Sequence, residues 1–204
     1  MIKSTDIELL PKKVAIFPLT GAVLFPGTQL PLNIFEPRYV QMIDAALASP
    51  GRVMGMIQPS KPGEKTLKKV GCLGRISTFN EAEDSRYLIT LSGTIRFEVK
   101  EELNTTTPYR QVIPHYDKYE SDLKPQHVES IDRSRLLALV TKYLENRKNM
   151  ADWEIIKDTP TEQVIKYSGN LGPLNAEEKQ LRLESKLIST RKNVLEEHYK
   201  STKL

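Results

Sequence analysis

The chain contains one cysteine, Cys72, and this scarcity excludes several classes of protein. A single thiol cannot build an intrachain disulfide framework or a cysteine-rich zinc site, and it is typical of a reducing compartment. The sequence has no HxxxH, HExxH or CxxC pattern, so no metal site is expected. It also lacks the ~18 consecutive apolar residues of a membrane helix, and residues 1–13 carry no signal-peptide core. We therefore expect a cytoplasmic protein.

Neither sign of charge is in large excess. The chain has 30 basic and 26 acidic residues, a formal net charge of +4 over 204 residues, which does not by itself require nucleic acid or a membrane surface. Its histidines, His115, His127 and His198, stand outside any GxSxG context, so no catalytic triad is indicated. Gly63-Glu-Lys-Thr66 has too few glycines for a phosphate loop. We expect no catalytic residue and no cofactor.

Apolar residues make up 39% of the chain, enough for a core. The region Val14–Tyr39 places short apolar runs between prolines. Val14–Phe17 predicts a strand ending at Pro18, and the alternation in Leu30–Ile34 predicts a second, half-buried strand. Because proline cannot donate to a sheet ladder, Pro18 and Pro31 place these strands at edges or strand ends.

A helix is predicted directly after the second strand. Pro37 suits the first helical position, where a missing N–H does no harm, and Pro50-Gly51 ends the helix. Its apolar residues recur at helical spacing and predict one buried face: Tyr39, Met42, Ile43, Ala46 and Leu47. More strands are predicted at 52–58, 70–79, 86–91, 95–99 and 109–116. In the fourth of these, Ile95, Phe97 and Val99 alternate with charged residues, which predicts one solvent-exposed face.

From about Lys118 the pattern becomes helical, so the sequence predicts a β-rich subdomain over 1–118 and an α-helical subdomain over 119–204. An amphipathic helix is predicted over 128–147, and a short helical segment around Trp153–Ile156. Thr159–Glu162 and Asn175–Glu178 each match a capping box at a helix start. The last helix is predicted to run from there to about Tyr199 without a break, with one apolar stripe.

Four blocks of sequence, in order along the chain, closely resemble the Lon substrate-binding domain family. They are IFPLTGAVLFPGTQLPLNIFEPRY (16–39), VGCLGRI (70–76), RYLITLSGTIRFEV (86–99) and PLNAEEKQLRLESKL (173–187). This module stands at the N-terminus of the ATP-dependent protease Lon and also occurs as a stand-alone bacterial protein. The resemblance spans roughly residues 14–195.

The resemblance implies an α+β fold, in which a β-rich, PUA-like pseudo-barrel is followed by a C-terminal α-helical bundle with a long last helix. In Lon that helix leads into an ATPase module and a Ser–Lys protease module, and we expect neither in this chain. The resemblance therefore implies a non-enzymatic module of protein quality control that binds apolar segments of unfolded or partner proteins. A protease or ATPase could be recruited in trans.

Two candidate surfaces follow from the residues. Large apolar residues in the loop Val23–Gly27 either pack against the β-rich unit or stay exposed as a recognition patch. The candidate peptide-binding residues are Leu24, Phe25, Pro26, Phe35, Arg38 and Tyr39. The rival hypothesis is an RNA-interaction module with a basic patch at Lys65, Lys68, Lys69 and Arg75. Few aromatics accompany those charges, whereas single-stranded nucleic acid is usually bound on stacked aromatic side chains. Cys72, in an apolar run, is predicted to lie in the core.

Overall fold

The computed structural model describes residues 7–124, 132–146, 159–162, 164–165 and 174–185. The chain divides into two compact units, residues 1–125 and 126–204, which are described separately. The first unit ends at Pro125 rather than at the predicted Lys118, because the 3₁₀ segment Asp117–Leu123 packs on a long strand of that unit.

Six strands build the first unit. They are β1 Val14–Pro18, β2 Gln29–Ile34, β3 Val53–Ile57, β4 Val70–Glu81, β5 Tyr87–Leu103 and β6 Gln111–His115. Their order in the sheet is β2-β5-β4-β3-β1-β6, and β6 pairs with β5 as well. Strands β1, β3, β4, β5 and β6 therefore form a closed ring, in which only the β1–β3 pairing is parallel.

Strand β5 is long enough to serve two partners. Its residues Tyr87–Ser92 pair with β2, and its residues Glu98–Leu103 pair with β6. The sequence predicts two separate strands here, whereas the structure forms one. Strand β2 pairs with β5 alone among the described strands, so it extends the sheet beyond the ring. This position explains how Pro31 is accommodated inside a strand.

The ring is filled by side chains from the apolar runs. Ile16, Met54 and Phe97 are all fully buried. The core packs tightly only because the backbone at Gly71 comes close to the Phe97 ring. A Cβ atom at Gly71 would lie 2.7 Å from the end of that ring and 2.7 Å from the carbonyl oxygen of Met56, so only glycine fits there.

The expectation of a solvent-exposed face on this part of β5 is wrong at Arg96. Its side chain is buried, as are those of Ile95 and Phe97 on either side of it. The reason lies outside the strand, because Asp122 and Tyr119 of the 3₁₀ segment cover the guanidinium group. The alternation of apolar and charged residues along one strand cannot show that another segment of the chain covers that strand.

Helix α1 spans Pro37–Ala48 and confirms the prediction from its sequence, with proline in its first turn. Tyr39, Met42, Ile43 and Ala46 form its buried face. The helix ends before Pro50-Gly51, where the amide and hydroxyl of Ser49 donate to the Ala46 carbonyl at 3.1 and 2.7 Å.

In the second unit, helix α2 spans Arg133–Asn146 and helix α3 spans Ala176–Glu184. The predicted capping box is confirmed, since the Asn175 side chain accepts from the Glu178 amide at 2.9 Å and the Glu178 carboxylate accepts from the Asn175 amide at 2.8 Å. Helix α3 ends at Glu184 and the backbone of Ser185 is extended, so the prediction of a helix unbroken to Tyr199 is wrong at Ser185. Residues 186–204 and Trp153–Ile156 lie outside the described residues.

Candidate functional site

The loop at Leu24–Pro26 lies in the interior of the first unit. Leu24 and Phe25 are each 1% exposed, and Pro26 is buried. The loop is tied to β5, because Gly27 donates to the Gly93 carbonyl and Gly93 donates to the Thr28 carbonyl, both at 2.8 Å. The sequence leaves open whether this loop packs against the β-rich unit or stays exposed, and the structure shows that it packs. These three side chains therefore offer no surface to a ligand.

A cleft of about 770 Å³ opens beside the start of α1. The segment after β1 and the loop after β3 form two of its walls, and Arg38 and Tyr39 form a third. Two residues near the junction of β5 and β6, Glu102 and Arg110, complete the lining. The cleft thus gathers residues that are far apart in sequence, and it contains members of both predicted candidate sets, since Lys65 also borders it.

Tyr39 forms an aromatic corner of this cleft. Its ring packs edge-on against Phe17 with 4.4 Å between centroids, and the Arg38 guanidinium lies 4.5 Å from the ring centroid. Burial raises the pKa of Tyr39, with a smaller rise from Glu36, while Arg38 and Arg110 act in the opposite direction. Tyr39 therefore remains a neutral phenol at physiological pH, able to donate or accept a hydrogen bond.

Ion pairs balance most of the charge at the cleft. Arg110 donates to both carboxylate oxygens of Glu102, at 2.5 and 2.6 Å, and these bonds lower the pKa of Glu102. Arg38 donates from Nε to Glu36 at 2.9 Å. Lys65 also lines the cleft, and it forms no ion pair with any residue that the structure describes. Such a lining suits a ligand with apolar groups and backbone-like polar groups better than a densely charged one.

Phe35 stands exposed on the short connection between β2 and α1. It is 66% exposed, and the side chain of Arg38, three residues later in the sequence, is 52% exposed. The structure thus leaves Phe35 and Arg38 on the surface, brings Tyr39 to the cleft wall, and removes the loop residues from consideration.

The four residues of the predicted basic patch lie in different surroundings. Lys65 borders the cleft and Lys68 is half-buried, whereas Lys69 precedes β4 and Arg75 lies well inside that strand. From Val70 to Arg75 the strand extends about 16 Å at the rise per residue of a strand. The four cations are therefore spread over the loop after β3 and strand β4, and one of them is half-buried.

Sequence reasoning missed two exposed apolar side chains, Phe79 and Leu88, which are 42% and 45% exposed. Both lie where β4 and β5 extend beyond the ring. A signal was present, because Tyr87-Leu-Ile89 is three apolar residues in a row, and such a run in a two-sided strand puts apolar groups on both faces.

Cys72 is fully buried, which confirms its prediction as a core residue. Within the described ranges, no group of three or more His, Cys, Asp or Glu side chains is placed to hold a metal ion. In the same part of the chain, no helix has the length and apolar content to span a membrane.

The closed ring and the added strand β2 define a β-rich domain with a few helices. The sequence profile of the ATP-dependent protease La (LON) substrate-binding domain matches residues 13–200. The chain therefore belongs to the Lon substrate-binding domain family.

Curated relatives match about half of this chain. Lon protease 2 of Sorangium cellulosum is 33% identical over 92 residues, which is 43% of this chain and 11% of that protein. Lon protease of Roseiflexus castenholzii is 31% identical over 115 residues, 54% of this chain and 14% of the relative. The match thus covers only a small fraction of these relatives.

Two solved structures share the fold. A Lon N-terminal domain protein from Xanthomonas campestris aligns with a TM-score of 0.64 at 20% identity, covering 94% of this chain and 99% of that one. The N-terminal domain of the Mycobacterium avium complex Lon protease aligns with a TM-score of 0.66 at 18% identity, covering 94% and 100%. The chain has the fold of a Lon N-terminal domain.

Proposed function

We propose that this chain is a non-catalytic module that binds apolar segments of unfolded or partner polypeptides. The observation that carries the proposal is the exposed aromatic side chain of Phe35, three residues before Arg38 and four before Tyr39, which line the cleft. An aromatic side chain that stays exposed to solvent is a typical anchor for a polypeptide ligand. Membership of a substrate-binding domain family supports the same conclusion.

The lining of the cleft fits such a ligand. Pro18, Leu19 and the Tyr39 ring offer apolar contact. Arg38 and Lys65 can donate to backbone carbonyls of an extended chain, which carries an acceptor at every residue. Because the ion pairs leave little net charge, recognition depends on the apolar side chains of the lining and on Phe35 more than on the charge of the ligand.

The proposal includes a cytoplasmic location, no enzymatic activity and no cofactor. A protease or an ATPase acting in trans would process what this module binds. It also retains the PUA-like description of the first unit and the helical-bundle description of the second. An RNA-binding role is not favoured, because the predicted basic residues are spread over a loop and a strand and few aromatic residues accompany them.

Calorimetric titration with a reduced and alkylated, permanently unfolded protein tests the proposal. We expect binding in the range of roughly 1–50 μM, which corresponds to a modest interface, and no binding to the same protein in its native disulfide-bonded form. Raising the salt concentration should weaken this binding little, because apolar burial is strengthened rather than screened by salt.

A single-stranded RNA of mixed sequence serves as the counter-probe. Binding of RNA with an affinity that falls steeply with salt, together with no binding of unfolded protein, would replace the proposed function with the rival one.

A further inference from the structure

A second surface lies where the sheet extends beyond the ring. It consists of β2, residues 76–81 of β4 and residues 87–92 of β5, and we call it the wing. Side chains alternate between the two faces of a strand, and residues opposite each other share a face. The cross-strand row Ile34–Tyr87–Glu81 and the row Leu32–Ile89–Phe79 therefore lie on one face, which we call the aromatic face.

The aromatic face carries an exposed ring pair. Phe79 and Tyr87 pack edge to face with 4.9 Å between centroids, and Phe79 remains 42% exposed. Ile34 and Ile89, their cross-strand neighbours on the same face, are buried, so the pair stands beside packed residues and is not a loose surface group. Leu88, at 45% exposure, points to the opposite face of the wing.

Carboxylates surround this ring pair. The Tyr87 hydroxyl donates to Asp44 of α1 at 3.0 Å, and Glu81 stands opposite Tyr87 in the pairing of β4 with β5. The hydrogen bond to Asp44 raises the pKa of Tyr87, and the charge of Glu81 adds to that rise, so both carboxylates act on the ring.

The hairpin that joins β4 to β5 adds more negative charge. Glu83 and Asp84 lie in this turn, and Asp84 is paired with Arg86, the one cation in the wing and its hairpin. Neither Glu81 nor Glu83 has an ion pair among the residues that the structure describes. The wing is thus acidic on a chain whose net charge is +4.

Given the proposed function, on which this inference rests, we propose that the aromatic face of the wing selects polypeptide segments in which Lys or Arg adjoins an apolar residue. An ammonium or guanidinium group is attracted both to the faces of aromatic rings and to nearby carboxylates. The apolar neighbour of that cation packs on Phe79 and the half-buried Leu32. The wing therefore adds a charge preference that the balanced cleft lacks.

Side chains, and not strand addition, carry this recognition. Strand β2 is the outer strand of the wing, but Pro31 has no N–H to offer an added strand. An extended segment would therefore find an incomplete ladder at that edge. A ligand held through its side chains should show a strong dependence on its sequence.

Two fluorescent synthetic peptides of equal length test the inference by anisotropy. Both alternate Leu with Ser in the centre, and one has Lys where the other has Glu. We expect the Lys peptide to bind the full chain about tenfold tighter, the combined effect of a cation–π contact and partly exposed ion pairs. The difference should shrink at high salt, where the Debye length falls to a few ångströms.

Variants locate the effect. Phe79→Thr should weaken the Lys peptide about fivefold through lost apolar and cation–π contact. Leu9→Thr, at an exposed apolar position outside the wing, is the matched control and should leave the affinity unchanged. Glu81→Gln combined with Asp44→Asn should remove most of the preference for Lys over Glu. Since these two carboxylates are on the surface, the double variant stays informative if Phe79→Thr fails to fold.

Equal affinity for the Lys and Glu peptides in the wild-type chain would overturn the inference. So would an undiminished preference in the folded Glu81→Gln, Asp44→Asn variant. In both cases, binding of the unfolded protein would leave the proposed function standing. If neither the peptides nor the unfolded protein bind, the proposed function fails together with the inference.

Discussion

Arg96 and Asp122 form a buried, two-pronged ion pair. Arg96 donates from Nε to one carboxylate oxygen of Asp122 and from Nη2 to the other, each at 2.7 Å, and both side chains are at most 1% exposed. The guanidinium also lies 4.5 Å from the centroid of the Tyr119 ring. This pair fixes the 3₁₀ segment Asp117–Leu123 to β5, and so it fixes the end of the first unit.

Removing one member of this pair should be strongly destabilising. Asp122→Ala leaves a buried guanidinium without its carboxylate, which costs about 3–5 kcal/mol of unfolding free energy. We expect the double variant Arg96→Met, Asp122→Ala to lose less than the sum of the single changes, because no unpaired charge remains. Urea denaturation of the wild type, Asp122→Ala, Arg96→Met and the double variant measures these changes in unfolding free energy. Additive losses would show that the two residues act independently.

Gly93 should tolerate no side chain. A Cβ atom there would lie 2.1 Å from the carbonyl oxygen of Phe25, so Gly93→Ala must displace the buried loop. We expect a loss of about 2–4 kcal/mol, the scale of overpacking in a tight core. Gly21→Ala is the control, since Gly21 has positive φ but open space around it, and this change should cost only about 1 kcal/mol. Equal thermal shifts for the two variants would contradict the packing described for Leu24–Pro26.

The Glu102–Arg110 pair predicts a small acid dependence. The hydrogen bonds from Arg110 lower the pKa of Glu102 in the folded chain, so the pair's stabilisation is present above the pKa of the unfolded carboxyl and is lost as pH falls through the folded value. Its size should be at most about 1 kcal/mol, because the pair is partly exposed to solvent.

Arg110→Gln should therefore raise the pKa of Glu102 towards its ordinary value. It should also reduce stability at neutral pH but not in strong acid. A carboxyl-carbon NMR titration measures the pKa, and parallel urea curves measure the stability. An unchanged Glu102 pKa in the variant would show that the pair does not persist in solution.

Local patterns predicted most of the elements. The first turn of α1 and the Asn175–Glu178 capping box depend on residues within four positions of each other, and both are confirmed. The burial of Phe25 could not be predicted in this way, because it depends on the backbone of Gly93, far away in sequence. The same holds for Arg96, whose exposure is decided by Asp122.

The candidate site also combines features that local sequence predicts with features that depend on contacts distant in sequence. An apolar residue in a loop can pack or stay exposed, and sequence alone gave Phe25 and Phe35 equal standing. The fold separates them, burying the first and exposing the second. The cleft itself is assembled from β1, α1 and the loop after β3, so its shape follows from tertiary contacts that the sequence pattern does not contain.

The measurement that tests the account most directly is a titration of unfolded protein into three chains, the wild type, Phe35→Ser and Leu9→Ser. Leu9 is 74% exposed in the 3₁₀ turn Ile7–Leu9, so it matches Phe35 as an exposed apolar residue outside the site. We predict that Phe35→Ser weakens binding about tenfold, as expected for an aromatic anchor, at unchanged thermal stability, and that Leu9→Ser binds like the wild type. Binding that is unaffected by Phe35→Ser, or equally weakened by Leu9→Ser, would contradict the account.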